Sequence, residues 1–131
     1  MLAARMDFTP ERPWPLSKCQ PALFYHTMDY PDGTSVGGHW DIRGRFDEYI
    51  GRYPIAGKTL LDVGTATGFL AFSAEQAGAR VTALDLRDAS ELRRVPHHGS
   101  AYYRDRAGWV RTMNEDHLGP LKAGFWYSWH K

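Results

Sequence analysis

The sequence has a single cysteine, Cys19, in 131 residues. An internal disulfide and any multi-cysteine metal site are therefore excluded, and the composition suits a reducing compartment. Charge of one sign is missing too. Sixteen Lys and Arg stand against fifteen Asp and Glu, so no overall field draws the chain to nucleic acid or to a lipid surface. No apolar run approaches the ~20 residues that span a bilayer. Arg5 is followed by no apolar stretch, which is unlike a signal peptide, and a cytoplasmic location is expected. What is present is a globular composition, 43% hydrophobic with 13 glycines. The length fits one domain of ~100–150 residues.

Proline is unevenly spread. Pro10, Pro13, Pro15, Pro21 and Pro31 fall in the first quarter, where fixed φ and missing N–H groups oppose long helices. Residues 1–20 are read as a flexible, Pro-rich arm and residues 21–40 as an ordered loop with short extended pieces. Pro31-Asp32-Gly33 is a turn signal. Over 41–53, Ile42, Phe46, Tyr49, Ile50 and Tyr53 recur on one helical face, with Asp41 as cap and Pro54 as stop.

The pattern then changes period. Lys58–Val63 is a short apolar run between Gly57 and Gly64, read as a strand covered on both faces. Gly64–Gly68 is a Gly/Thr loop. Residues 68–77 form a helix closed by Gly78, and Arg80–Asp85 a second strand. Strand, loop, helix and strand make one βαβ unit. The polar stretch 86–117, interrupted at Pro96 and Gly99, is expected to hold a helical turn or ordered flap. Residues 118–130 read as a helix with Leu118, Leu121, Phe125 and Trp129 on one stripe.

The chemistry concentrates in Asp62-Val63-Gly64-Thr65-Ala66-Thr67-Gly68 and Asp85. In a parallel sheet both strand ends open on the same edge, where open α/β sheets bind ligands. An acidic side chain at the second strand end can accept both hydroxyls of a ribose, so a nucleoside-containing ligand is expected. The dinucleotide fingerprint G-x-G-x-x-G fails at Ala66 and Phe69. Asp62 would repel a phosphate. It suits a cationic ligand such as the amino and sulfonium groups of S-adenosylmethionine.

These residues resemble motif I, D-x-G-x-G-x-G, and the acidic second-strand end of class I S-adenosylmethionine-dependent methyltransferases, with Ala66 in place of the middle glycine. Phe24-Tyr25-His26-Thr27-Met28, Pro31-Asp32-Gly33 and Trp40-Asp41-Ile42-Arg43 are similar to the segment before motif I in a subgroup that includes enzymes modifying the wobble uridine of tRNA. Lys122–Tyr127 looks like the helix before their third strand. The resemblance implies an incomplete Rossmann-like α/β methyltransferase fold over 21–131, the N-terminal part of a domain cut before its third strand. It implies S-adenosylmethionine as cofactor. The Gly64–Gly68 loop and Asp62 would hold its methionine portion, Asp85 its ribose, and Thr65 and Phe69 would line the pocket.

The acceptor stays open between a tRNA and a small metabolite, and so does oligomeric state. Tyr25 and His26 are the candidates for a general base. Two other readings remain: a non-catalytic interaction module on the same scaffold, and a nicotinamide-dependent oxidoreductase. The histidines show no metal-ligand spacing, and His97-His98 are adjacent and point apart. The cluster Arg104, Arg106 and Arg111 with Tyr102, Tyr103 and Trp109 reads as a solvated face rather than an RNA-binding one.

Overall fold

A computed structural model describes residues 10–92 and 101–131. The expected breaks at Pro96 and Gly99, the His97-His98 pair and the first nine residues of the arm lie outside the described residues. The chain is a mixed α/β structure with two small two-stranded sheets. The first sheet is an antiparallel hairpin of β1 (Met28–Asp29) and β2 (Ser35–Val36). Its turn is the Pro31-Asp32-Gly33 segment, closed by Gly33 N–H donating to the Tyr30 carbonyl at 2.9 Å. Asp32 Oδ1 accepts from the Thr34 N–H at 2.9 Å, an Asx-type turn.

The expected helix over 41–53 shrinks to one turn, α1 (Phe46–Tyr49). Gly44 and Gly51 take left-handed φ values of 73° and 67°, which interrupts the helix on both sides. Asp41 does not cap it; its carboxylate binds Arg43 instead. Half of the stripe survives: Phe46 and Ile50 pack on a core of Ile55, Ala74 and Ala79, while Tyr49 and Tyr53 are exposed.

The βαβ unit is present as β3 (Thr59–Val63), α2 (Phe69–Gln76) and β4 (Arg80–Leu84). β3 and β4 pair in parallel, Thr59 opposite Arg80 through Val63 opposite Leu84. Gly78 ends the helix with φ 88°. The expectation of a strand covered on both faces fails. Burial alternates along β3, because among the described residues α2 covers only the face carrying Leu60 and Val81. On the other face Leu61 is 60% and Val63 70% exposed.

Beyond β4 the chain is more helical than its polarity suggests. A 3-10 turn at Ala89–Glu91 precedes α3 (Ala101–Arg104), α4 (Arg106–Met113), a π-helical turn at Asn114–Leu118 and α5 (Gly119–Trp129). Asp105 caps α4 by accepting from the Gly108 N–H. The buried face of α5 is Ala123, Gly124, Trp126 and Ser128, not the expected stripe, and Trp129 is half exposed. The reason is close approach. A Cβ at Gly124 would fall on the Leu23 carbonyl and the Thr67 methyl, so the small-residue face is the one that can seat against the glycine loop. Residues 10–20 lie along the same helix, with Lys122 Nζ 3.2 Å from Glu11 Oε2 and His130 Nε2 2.8 Å from the Trp14 carbonyl. Among the described residues no helix is long and apolar enough to cross a membrane.

Candidate functional site

The site forms where β3 hands over to α2. Three alternate loop positions are left-handed: Gly64 (φ 78°), Ala66 (φ 50°) and Gly68 (φ 87°). This reverses the chain tightly enough to start a helix directly above the strand. An L-residue in that region costs roughly 1–2 kcal/mol, so Ala66 is the strained member. The loop is tied to the neighbouring strand end at several points. Gly64 N–H and Thr65 N–H both donate to the Leu84 carbonyl, at 2.8 and 3.3 Å. Ala66 N–H donates to Asp85 Oδ2 at 2.8 Å, and Leu86 N–H to Asp85 Oδ1 at 2.7 Å.

Asp85 and Asp62 differ in exposure and in partners. Asp85 is exposed, and a carboxylate has about four lone-pair sites, so each oxygen retains capacity after its backbone contact. Asp62 shares the half-buried face of β3 with Leu60. Its Oδ2 is buried without a hydrogen-bond partner.

The segment before the βαβ unit packs against the loop and the first turn of α2. The Tyr25 N–H donates to Thr67 Oγ1 at 3.3 Å, and Thr67 is fully buried. His26 stacks on Phe69, ring centroids 5.2 Å apart, and Tyr25 meets His26 edge-on at 4.8 Å. His26 bridges to Trp40, and Gly38 passes so close that a Cβ there would fall on the His26 backbone. His26 Nδ1 and Thr65 Oγ1 are, like Asp62 Oδ2, buried and unpartnered. Burial pushes the His26 imidazole below its ordinary value of 6.5, while the Asp62 carboxylate pulls it back up.

The expected site residues thus divide. Asp62 Oδ2 and Thr65 Oγ1 are buried without partners, and the exposed Asp85 holds the loop through the Ala66 N–H. Gly64 has open space around the position of a Cβ, whereas Gly68 is roofed by the rings of Phe72 and Phe125. Phe69 is 8% exposed and belongs to a core with Met28 and Tyr30. Ala66 stands at the middle-glycine position of the motif and takes the left-handed backbone expected of a glycine there, while the buried Thr67 carries no signal in the sequence. A separate open cleft of about 360 Å³, bordered by Tyr53, Ile55, Ala56 and Ala77, lies at the opposite end of β3. Cys19 is fully buried, and burial raises its thiol pKa, which removes thiolate character. Among the described residues no three His, Cys, Asp or Glu side chains cluster to hold a metal ion.

Comparisons of the chain with protein-family models, with curated proteins and with solved structures found no match.

Proposed function

We propose that this chain is the cofactor-binding portion of a Rossmann-like, S-adenosylmethionine-dependent methyltransferase, acting in the cytoplasm on a tRNA or a small metabolite. The observation that carries the reading is the loop itself. Residues 64, 66 and 68 are left-handed, which is the backbone demand that the glycines of D-x-G-x-G-x-G answer, and the loop leans on an acidic residue at the adjacent parallel strand end.

When bound, the cofactor supplies a methyl group on a sulfonium, already a good electrophile. The protein's part is alignment and charge. The exposed lone pairs of Asp85 accept the two ribose hydroxyls while the carboxylate keeps its grip on the loop. The open space at Gly64 would admit the sulfonium portion, and Asp62 would oppose the positive charge. Gly68 acts through packing rather than contact, because Phe72 and Phe125 cover it.

The test is an amide NMR titration with S-adenosylhomocysteine. Shifts confined to Gly64, Thr65, Ala66, Asp85 and Leu86 support the reading. An unperturbed loop at millimolar ligand rejects it. The exposed Leu61 and Val63 favour a second reading, an interaction module that retains the scaffold without chemistry; it requires the same titration to be silent.

A further inference from the structure

Two backbone bonds fix which way the peptide groups of β3 point. Arg80 N–H donates to the Lys58 carbonyl, and Gly64 N–H to the Leu84 carbonyl, each at 2.8 Å. Backbone groups alternate between the two edges of a strand, so the even-numbered residues over 58–64 turn toward β4. The N–H and C=O groups of Thr59, Leu61 and Val63 turn to the other edge, which is unpaired among the described residues. The side chains of the same three residues are exposed on the outer face. Such an edge is a template for a further strand.

The strand complements itself. Turned about a two-fold axis at Leu61, a second β3 runs antiparallel, with Leu61 facing Leu61 and Thr59 facing Val63. That register pairs the outward groups of all three residues on both copies. Moving the axis to residue 60 or 62 leaves Val63 or Thr59 without a strand partner. On the outer face Leu61 lies beside Leu61 and Val63 beside Thr59, which withdraws exposed apolar side chains from water. On the inner face Lys58 of one copy falls diagonally across from Asp62 of the other, about 7–8 Å away and within reach of a long side chain. Lys58 meets the Tyr53 ring and makes no ion pair among the described residues, so the register also matches opposite charges. The outer edge of β4 offers less. Its outward groups belong to Val81 and Ala83, and its outer face carries Arg80 and Thr82.

We propose that the free edge of β3 is a dimer interface, where a second copy of this chain adds its own β3 antiparallel about Leu61 to make one continuous sheet, β4-β3-β3-β4. The occupant follows from the match of this strand to itself in hydrogen bonds, apolar side chains and charge. The two Gly64–Gly68 loops come to opposite ends of the shared sheet, so the interface stands apart from the ligand site and does not depend on the methyltransferase reading.

Sedimentation of the full chain over a range of concentrations should show a monomer–dimer equilibrium that stops at two copies. Disulfide trapping reads the register. Residue 61 meets its own copy at about 5.5 Å between Cα atoms, within the span of a disulfide, so Leu61→Cys should cross-link under mild oxidation. Thr59→Cys and Val63→Cys should each fail alone and cross-link when mixed. The native chain, with Cys19 buried, is the blank. Leu61→Pro removes only an outward N–H, a position where an edge strand tolerates proline, and should weaken the dimer at least about tenfold with circular dichroism unchanged. A monomer at every concentration, growth beyond two copies, no cross-link from Leu61→Cys, or a cross-link from Thr59→Cys alone overturns the interface.

Discussion

The Asp85 carboxylate, at the end of β4, accepts the backbone N–H of Ala66 at 2.8 Å. One contact thereby links the acidic strand end to the strained middle residue of the glycine loop. Ala66 has φ 50°, and glycine would take that conformation without the penalty of a Cβ. Ala66→Gly should stabilise the fold by about 0.5–1 kcal/mol, the relief of left-handed strain less glycine's added chain entropy. Urea denaturation measures it. A loss of stability would show that the alanine methyl makes a packing contribution larger than the strain.

Gly64 and Gly68 are both left-handed, yet they should respond differently to the same change. A Cβ at Gly64 meets open space, and one at Gly68 meets the rings of Phe72 and Phe125. Gly64→Ala should cost roughly 1–2 kcal/mol from backbone strain alone. Gly68→Ala adds overpacking of about 1–3 kcal/mol to the same strain. Equal losses in denaturation experiments would contradict the packing role given to Gly68.

His26 should titrate below 6.5, since burial lowers it more than Asp62 raises it. The unfolded chain then binds the proton more readily than the folded one. Stability is full above the unfolded value and falls as pH drops through 6.5 toward the folded value. Asp62→Asn removes the opposing charge and should lower the His26 value further, read from imidazole NMR shifts against pH. An increase on Asp62→Asn would show that the two side chains do not sense each other.

The βαβ unit was legible because its signals are local. Gly57, Gly64 and Gly78 punctuate a short apolar run and a small-residue helix, and the structure follows those marks to within a residue. The acid–loop pairing was half legible. Sequence spacing put Asp85 at the right edge, but its bond to Ala66 depends on strand register. The helix over 41–53 misled because its apolar spacing is real while Gly44 and Gly51 choose left-handed backbone. The buried face of α5 was hidden for a different reason. That helix is apolar almost all round, and only the approach of Leu23 and Thr67 to Gly124 decides which side goes inward. The electrostatic influence of Asp62 on His26 spans 36 positions of sequence, and no local pattern reports it.

The bare outer face of β3 carries its own consequence. Leu61 and Val63 are exposed on a strand whose second edge is unpaired among the described residues, an arrangement that templates association. The chain should self-associate with rising concentration, and Val63→Lys should reduce this without loss of helical signal. Light scattering after size exclusion reads both. A monomer at all concentrations would mean that the face is covered.

The central claim is that the β3–α2 loop and Asp85 grip an adenosyl ligand from one sheet edge. Calorimetric titration with S-adenosylhomocysteine against the native chain and against Asp85→Ala tests it most directly, with NADH as the competing ligand. The account predicts binding of S-adenosylhomocysteine, at least about tenfold weaker in Asp85→Ala, and no heat with NADH. Affinity for S-adenosylhomocysteine that is unchanged by loss of the Asp85 carboxylate, or binding of NADH alone, would contradict it.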